Sequence, residues 1–447
     1  MTRFTHVIKR SGVKVPFTPN RITNAIYRAA VAVGGRDKKT AEKLGLQVIE
    51  FLEKTIPEKN IPTVEQVQDA TEKILIESGH ARVAKAYILY RDERARMREQ
   101  RELQTIRPST NIPWAKIWQI LDWAASHDLH SIKHYKNRLE NNELQQIVSE
   151  SEMFYEEDIK LAAHEICERR NDLRIVLISG PSSSGKTTTT IKVGQILKQM
   201  GISLVALNVD NYFFDLEKHP KDEFGDYDFE TPQALDLPLI NKHLSELIKG
   251  KEVHIPFYDF KEGKRHDKQT KMRIGENDII LIDSLHGLYP PMTEDIAPNK
   301  KFKLYLEPLL QMKDSKGQYI RWTDIRLMRR MLRDAAYRGY DPERTLTHWH
   351  YVRSGEMRNI IPNNIYADFI INSAMPYELS IYKSRLFDSF KNWTKKLKKD
   401  PLREDAYNRS KRVYEMLSEI PALEDDSFVP SDSVIREFIG GSSLKYH

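Results

Sequence analysis

A glycine- and serine-rich segment, Gly180-Pro181-Ser182-Ser183-Ser184-Gly185-Lys186-Thr187, lies between the apolar run 174–179 and a helix-like segment that starts at Thr188. This succession predicts a site for the phosphates of a nucleoside triphosphate, because main-chain N–H groups of such a loop and of the helix N-terminus bind anions. Lys186 would reach the outer phosphates and Thr187 would hold Mg²⁺. The residues predicted to bind the nucleotide are Gly180, Ser182, Ser183, Ser184, Gly185, Lys186, Thr187 and Thr188. The alternative is a serine- and glycine-rich turn that matches the pattern by chance.

The composition excludes several classes of protein. Of the 447 residues, 40% are hydrophobic and 30% are charged, which is typical of a globular protein with two or three domains. No segment approaches the run of about 20 apolar residues that crosses a bilayer, and residues 1–6 lack the apolar core of a signal peptide. The single cysteine, Cys167, excludes an intrachain disulfide and a cysteine-based zinc site. We therefore expect a cytoplasmic protein without a membrane partner.

The charge pattern favours small phosphate-bearing ligands. The chain has 70 basic and 64 acidic residues, a net charge of +6, and the two signs alternate along most of its length. A dedicated nucleic-acid surface usually concentrates its basic residues. We therefore do not expect nucleic acid as a partner.

The first 95 residues predict a small, mainly helical domain. Residues 7–10 and 13–17 are typical of two short strands around a tight turn. Thr18-Pro19 has the pattern of a helix N-cap followed by proline at the first helical position. Further amphipathic helices are predicted at 44–52 and 64–76, the second opened by a capping box of Thr63 and Gln66.

This region resembles the ATP-cone, the small regulatory domain found at the front of ribonucleotide reductases. The matching segments are 7–12, 16–17, 21–26, 62–68 and 83–91. The resemblance implies that ATP or dATP binds as an effector and changes activity or assembly, so we expect a homo-oligomer. It also implies phosphate contacts by Lys9, Arg10 and Arg21, although the family usually has lysine at the position of Arg21. The alternative is a solvated basic face.

Residues 96–172 predict a helical connector. The segment 91–107 carries a dense mixture of charges and predicts an exposed helix, which the prolines of 108–113 interrupt. Aromatic residues at helical spacing in 114–123 predict a helix whose tryptophans are packed in a core. A further helix is predicted at 155–169. We assign this region no chemistry.

Two later apolar segments each end in an aspartate. Residues 203–209 predict a buried strand followed by Asp210, and residues 276–282 predict another followed by Asp283. Ligands of doubly wound sheets bind at the carboxyl ends of the strands. Asp210 is therefore a candidate base for an attacking hydroxyl and a candidate Mg²⁺ ligand, and Asp283 is a candidate for the second acidic residue near the metal. The alternative for Asp210 is a helix N-cap.

A basic helix is predicted near residues 321–340. Arg326, Arg329, Arg330 and Arg333 lie largely on one face, as in a lid that covers phosphates and stabilises developing charge. The alternatives are a solvated arginine helix and a nucleic-acid contact. Two shorter segments, 227–236 and 256–260, are rich in groups that can hold a polar ligand.

The loop, together with 209–213, 227–236, 256–260, 326–339 and 366–371, resembles the uridine kinase and phosphoribulokinase family. The resemblance implies that Asp210 accepts the proton of a nucleoside 5′-hydroxyl, that Lys186, Arg329 and Arg333 act on the transferred phosphate, and that Mg²⁺ is held at Thr187, Asp210 and Asp283. It adds Arg338 to the ATP-binding residues. The implied acceptor-binding residues are Asp210, Tyr212, Asp236, Tyr258 and Arg326.

The sequence departs from this family at three places. Uridine kinases usually have Glu-Gly where this chain has Asp283-Ser284, and they have a base-contacting histidine where this chain has the charged segment 261–265. Gln233 replaces one acidic residue of the family pattern, although Asp236 remains. The nature of the acceptor is therefore left open.

The expected fold is α/β. A P-loop kinase domain at 173–375, with a mostly parallel sheet flanked by helices and a lid around 321–340, follows the ATP-cone domain at 1–95 and the connector at 96–172. A helical extension occupies 376–447. Its segment 433–443 resembles the ending of a bacterial branch of uridine-kinase-like proteins, without an evident role.

Three functions remain open. The first is an ATP-dependent nucleoside kinase acting on uridine or cytidine and sensing adenine nucleotides through its N-terminal domain. The second is a kinase for another small hydroxyl compound, such as a sugar phosphate or phosphoglycerate, which Lys264 and Arg265 favour. The third is a nucleotide-sensing regulator with little turnover, against which the retention of Lys186, Thr187 and Asp210 argues.

Overall fold

A computed structural model describes residues 2–8, 14–35, 37–58, 60–91, 112–219, 231–337, 339–398, 400 and 403–445. The chain divides into two compact units, one built mainly from Met1–Ser109 and the other from Thr110–Asp222, Asp226–Lys399 and Arg403–His447. None of the described helices combines the length and the apolar character that crossing a membrane would require.

The described part of the first unit contains two short strands followed by four helices. Strands β1 (His6–Ile8) and β2 (Lys14–Pro16) are antiparallel. The helices are α1 (Asn20–Ala32), α2 (Lys38–Thr55), α3 (Val64–Glu77) and α4 (residues 81–91). They enclose an apolar core that includes Ile26, Val48 and Leu75.

The helix starts of this unit test two predictions. The capping box of Thr63 and Gln66 is confirmed, because each side chain bonds to the main chain of the other residue. Helix α1 begins at Asn20 with Pro19 as its N-cap residue and has no side-chain cap. The predicted Thr18 cap is therefore wrong, since only the main-chain oxygen of Thr18 accepts a bond, from the N–H of Arg21.

The second unit is organised around a five-stranded parallel sheet with the order β4-β7-β3-β8-β9. The strands are β3 (Ile175–Ser179), β4 (Ser203–Ala206), β7 (Asp278–Asp283), β8 (Lys301–Glu307) and β9 (Phe369–Asn372), while β5 (Val253–Asp259) and β6 (Lys264–Met272) form a separate antiparallel pair. Every residue of β3 is buried, as expected for the central strand of a sheet covered on both faces. The α/β fold with a mostly parallel sheet is confirmed.

Helices surround this sheet. They are α5 (Trp114–Ser126), α6 (Ile132–Glu140), α7 (Leu144–Glu168), α8 (Lys186–Gln199), α9 (Leu237–Ile248), α10 (Trp322–Tyr337), α11 (Pro342–Asn359), α12 (Glu378–Leu397), α13 (Glu404–Glu419) and α14 (Arg436–Ile439). Helices α6 and α7 share one apolar core with the sheet and with α10 to α13. The connector helices and the C-terminal helices are therefore integral parts of the unit that contains the phosphate-binding loop.

The aromatic helix of the connector differs from its prediction. Trp114 and Trp118 of α5 are 54% and 69% exposed, whereas Ile120 and Ala124 are buried. Lys116 is also buried, because its ammonium group pairs with the carboxylate of Asp158 on α7. The ion pair fixes which face of α5 turns inward, and the apolar spacing did not indicate it.

Candidate functional site

The phosphate-binding loop, residues 180–185, joins the central strand β3 to helix α8. A Cβ atom on Gly180 would lie 2.1 Å from the main-chain oxygen of Leu306, so no side chain fits there. Gly185 has φ of +93° and is the N-cap of α8, a backbone conformation that strongly favours glycine. Ser183 also has a positive φ, of 59°. The two glycines thus hold a tight turn immediately before the first N–H groups of the helix, which have no acceptor within the helix itself.

The polar side chains of the loop include two buried serine hydroxyl groups, and the Lys186 ammonium group lies next to the main chain of the loop. Ser183 and Ser184 are 3% and 0% exposed, and among the described residues their hydroxyl oxygens have no hydrogen-bond partner. A buried hydroxyl without a partner is costly. The Lys186 ammonium donates to the main-chain oxygens of Gly180 and Pro181 at 3.1 and 3.4 Å. These groups fit the phosphates of ATP, as the sequence predicts.

Asp283 lies at the carboxyl end of β7, beside the strand that leads into the loop. The Thr187 hydroxyl is hydrogen-bonded to its carboxylate. Burial raises the pKa of Asp283 to about 6, with the charge of Lys186 acting in the opposite direction and those of Glu437 and Asp210 adding to the rise. Two of the three residues predicted at the metal, Thr187 and Asp283, are thus adjacent.

Asp210 approaches the same place from β4. It is exposed, in a short 3₁₀ turn, Val209–Tyr212, after that strand. The cap of this turn is Asn208, whose side-chain oxygen accepts the Asp210 N–H at 2.9 Å, so Asp210 is not the predicted alternative N-cap. Its charge contributes to the raised pKa of Asp283, and the two carboxylates therefore belong to one site.

The oxygen atoms of Thr187 and Asp283 suit a hard cation whose remaining ligands are phosphate and water. In the part of the chain that the structure describes, no group of three or more acidic, histidine or cysteine side chains is arranged to bind a metal. Mg²⁺ commonly takes one or two carboxylates together with substrate phosphates and keeps several waters. The Thr187 hydroxyl and the Asp283 carboxylate fit that mode of binding.

Arg326 and Arg329 of α10 are placed differently from the predicted lid. Both side chains are 0% exposed. Arg326 donates to the main-chain oxygen of Ser182 at 3.0 Å and pairs with Glu356. Arg329 pairs with Glu378 and also donates to the main-chain oxygen of Ser184 at 3.4 Å. These arginines support the loop from its carbonyl side, so the prediction that their guanidinium groups face a ligand is corrected.

The other predicted lid residues lie nearer the surface. Arg330 donates to the Ser182 hydroxyl at 3.1 Å, and Arg333 pairs with Asp334 at 3.0 Å. The side chains of Arg330 and Arg333 are 21% and 17% exposed. Of the four arginines predicted on one face, these are the two whose side chains are partly exposed. Arg338 lies outside the described residues.

An aromatic cluster lies next to the turn that carries Asp210. Tyr258 packs against Phe213 at 5.5 Å, Phe260 at 4.9 Å and His219 at 6.2 Å between ring centroids. The Tyr258 hydroxyl is buried and has no hydrogen-bond partner among the described residues. Burial lowers the pKa of His219, which favours its neutral form. Flat aromatic walls with a few polar groups are typical of a nucleobase pocket.

Two predicted acceptor-binding residues are already engaged in the protein. Tyr212 is fully buried, with its hydroxyl 2.9 Å from Nδ1 of His243. The prediction that Tyr212 contacts the acceptor directly is therefore corrected, because this side chain lies in the core. Asp236 caps α9 and pairs with Arg265 at 2.9 Å. The first four residues of the segment 227–236, residues 227–230, lie outside the described residues.

Sequence reasoning gave Glu437 no role, yet the structure places it at the loop. Its carboxylate accepts from the N–H and the hydroxyl of Thr188 at 3.1 and 2.9 Å. The sequence signal was the unexplained segment 433–443, although its distance along the chain concealed the contact. Another missed residue is His286, which is buried three residues after Asp283 and near enough to Lys186 to be affected by its charge.

In the first unit, Arg21 is exposed near the start of α1. Lys9 and Arg10, the other predicted effector contacts, lie outside the described residues. The regulatory site therefore stays a prediction.

Comparisons with known proteins identify relatives of two parts of the chain. Residues 5–96 match the model of the ATP cone domain, and residues 175–379 match that of the phosphoribulokinase / uridine kinase family. The chain is 29% identical over 198 residues to a uridine kinase of Deinococcus deserti, covering 44% of this chain and 86% of that protein. It is 30% identical over 205 residues to uridine-cytidine kinase 2-B of Danio rerio, covering 44% and 72%.

A solved structure described as a possible uridine kinase from Bacillus stearothermophilus also matches. The TM-score is 0.33 at 16% identity, covering 48% of this chain and 98% of that one.

Proposed function

Because this chain belongs to the phosphoribulokinase and uridine kinase family, we propose that it transfers the γ-phosphoryl group of ATP to the 5′-hydroxyl of a nucleoside such as uridine or cytidine. The supporting observation is the convergence of Lys186, Thr187, Asp210 and Asp283 at one edge of the sheet. These are the groups that phosphoryl transfer needs: a cation for the phosphates, two ligands for a metal, and a carboxylate for the acceptor hydroxyl.

In this mechanism the loop N–H groups and Lys186 hold the phosphates of ATP. Mg²⁺, bound at Thr187 and Asp283, would neutralise charge on the phosphate oxygens. Asp210 is the exposed carboxylate of the site, and it orients the acceptor hydroxyl and takes its proton as the oxygen attacks. Arg330 and Arg333 stabilise the charge on the transferred group. The product is a nucleoside 5′-monophosphate.

The aromatic cluster supports a nucleoside as the acceptor. Tyr258 offers a buried hydroxyl beside Phe213 and Phe260, which suits a planar base with polar edges. The family's base-contacting histidine is absent from 261–265, and His219 supplies an imidazole stacked on Tyr258. We assign the base contact to Tyr258 and His219.

The pairing of Arg265 weighs against a phosphorylated acceptor. Its guanidinium pairs with the carboxylates of Asp236 and Asp267, both at 2.9 Å. A cation already paired with two carboxylates offers little net charge to a second phosphate. The alternative, a sugar phosphate or phosphoglycerate kinase, therefore loses one of the two residues that favour it.

The N-terminal unit is proposed as a sensor of adenine nucleotides. Residues 5–96 match the ATP cone domain, and binding of ATP or dATP there would change the activity or the assembly of a homo-oligomer. A nucleotide-sensing domain joined to a nucleoside kinase would allow the nucleotide pool to control nucleoside salvage.

The decisive experiment is ATP consumption by the purified protein with Mg²⁺ over a panel of ribonucleosides, deoxyribonucleosides and phosphorylated sugars. We expect turnover with uridine or cytidine that disappears in Lys186→Ala, and an effect of dATP on that turnover. Turnover only with a phosphorylated sugar or acid would establish the alternative kinase. No turnover with any acceptor, with ATP still bound, would establish a nucleotide-sensing regulator.

A further inference from the structure

The C-terminal segment 433–439 is packed directly on the phosphate-binding loop. Val434, Ile435 and Phe438 are fully buried. The Val434 methyl group Cγ2 occupies the space beside Gly185, where an added Cβ would lie only 2.4 Å from it. The Phe438 ring lies 5.0 Å from the guanidinium carbon of Arg329. The loop therefore has this segment as one of its walls.

The chain just before Glu437 is tied to two helices. Lys192 of α8 pairs with Asp432 at 2.8 Å. The Ser433 hydroxyl lies 3.3 Å from that of Tyr377, the N-cap residue of α12. These contacts precede Glu437 and the buried Phe438 follows it, so the segment is anchored on both sides of Glu437.

Glu437 directs its carboxylate to the anion-binding end of α8. One oxygen, Oε2, accepts both the N–H of Thr188 at 3.1 Å and its hydroxyl at 2.9 Å. Thr188 is the third residue of α8, and the first four N–H groups of a helix have no partner within the helix. Glu437 is 9% exposed, so water screens this contact poorly.

The N–H groups at the start of this helix are the ones that cradle phosphates in a loop of this type. A single N–H cannot donate at full strength to a carboxylate and to a phosphate. The two anions also repel each other when both lie near the same helix end.

We propose that Glu437 is an affinity-determining residue of the nucleotide site, whose carboxylate competes with a phosphate of ATP for the N–H and hydroxyl of Thr188. This inference rests on the proposed function only in taking the loop as the site of ATP. Nucleotide binding then requires the Glu437 side chain to leave Thr188, which loosens the turn at 436–440, while Val434 stays packed beside Gly185. The carboxylate thus sets the ATP concentration at which the loop fills.

The test is hydrogen–deuterium exchange of the full-length chain, titrated with ATP and Mg²⁺. Protection of the peptide that covers 183–190 reports occupancy of the loop, so binding to the N-terminal unit does not interfere. The variants are Glu437→Gln, which removes the charge at constant size, and Glu424→Gln, a matched control at an exposed residue of the same region. Lys186→Ala defines the signal of an empty loop.

We expect Glu437→Gln to lower the ATP concentration for half-maximal protection about tenfold, as for loss of a charge-assisted contact that ATP must replace. Glu424→Gln should match the wild type. In the wild type, ATP should also increase exchange in residues 436–440 as the Glu437 contact breaks. That second signal does not depend on any variant folding correctly.

Unchanged or weaker ATP binding by Glu437→Gln, with no ATP-dependent change at 436–440, would overturn the inference and show that Glu437 only caps α8. The proposed kinase function would stand in that case. Absence of ATP-dependent protection at 183–190 in the wild type and in all variants would overturn the inference and the proposed function together.

Discussion

Arg329 and Glu378 form a two-point ion pair that is wholly buried next to the phosphate-binding loop, with N–O distances of 2.7 and 3.0 Å. The same guanidinium donates to the main-chain oxygen of Ser373 at 2.7 Å. One cation thus ties together the loop, the end of β9 and the start of α12. Its position makes it part of the framework that shapes the site.

Arg329→Met should destabilise the fold. The substitution leaves the Glu378 carboxylate buried without its partner, and breaking a buried pair in this way costs about 3–5 kcal/mol. Denaturant unfolding measures the loss. The matched control is Glu415→Gln, whose pair with Lys316 is exposed and whose loss should cost less than about 1 kcal/mol. An Arg329→Met variant as stable as the wild type but inactive would show instead that Arg329 acts on the phosphate.

Gly180→Ala should abolish ATP binding. The added methyl group would meet the main-chain oxygen of Leu306 at 2.1 Å, and the loop backbone must move to relieve the clash. Gly201→Ala is the control, because its φ is +80° and nothing lies within 4 Å of the added atom. That variant should lose only about 1–2 kcal/mol of stability and bind ATP normally. Equal ATP affinity of the two variants would contradict the tight geometry at Gly180.

Asp210→Asn should lower kcat by about 10²–10⁴-fold, the usual contribution of a general base, with ATP affinity unchanged. The exposed Asp210 carboxylate forms no part of the loop that holds the phosphates. Steady-state kinetics with the acceptor found in the panel, together with ATP binding, separate the two effects. Glu217→Gln, an exposed residue nearby in the chain, serves as control. A kcat near that of the wild type would exclude Asp210 as the base.

The stability of the second unit should fall in acid because of His286. Burial, assisted by the charge of Lys186, lowers the pKa of His286 to about 3. In the unfolded chain the pKa of this histidine is near 6.5. Between pH 6.5 and pH 3 the imidazole is therefore protonated in the unfolded chain but neutral in the folded chain. The stability contributed by this group is complete above pH 6.5 and is lost as the pH falls toward 3. At pH 5 the loss is about 2 kcal/mol.

His286→Leu should remove that part of the pH dependence, which denaturant unfolding between pH 8 and pH 5 would show. The control is His348→Leu at an exposed histidine. If the stability of the wild type and of His286→Leu fell equally between pH 8 and pH 5, the imidazole would be protonated as readily in the folded protein as in the unfolded chain.

Arg21→Ala should weaken the binding of ATP or dATP to the N-terminal unit about tenfold, the usual scale for one charge-assisted phosphate contact. Kinase activity without effector should be unaffected, because the substitution lies outside the unit that contains the loop. Arg82→Ala, at another exposed arginine of the unit, is the control. Equal nucleotide affinity in both variants would show that Arg21 does not contact the effector.

Local patterns in the sequence were sufficient for the loop and for three of the five described strands of the sheet, but they did not predict β8 (Lys301–Glu307). The apolar run before Gly180 is β3, and the aspartate-terminated segments contain β4 and β7. The strand predicted to reach residue 209 ends at Ala206, because the side chain of Asn208 caps the turn that carries Asp210. Such a capping bond competes with strand pairing, and hydrophobicity alone does not reveal it.

The partners of buried charges could not be predicted. Arginine spacing on α10 is the same for a solvated lid and for a buried brace, and only the distant carboxylates of Glu356 and Glu378 decide between them. The contact of Glu437 with Thr188 has the same origin, since it joins residues 249 positions apart. Single-sequence patterns report short-range order, and these ion pairs depend on tertiary packing.

The position of β3 in the sheet has a consequence for how the protein folds. Its two neighbours, β7 and β8, begin only at Asp278 and Lys301, so the strand that leads into the loop stays unpaired until a long intervening stretch has been organised. Closing such long loops is entropically costly and slows folding. The loop should therefore be among the last parts to gain protection during refolding, and a nascent chain should acquire its nucleotide site late.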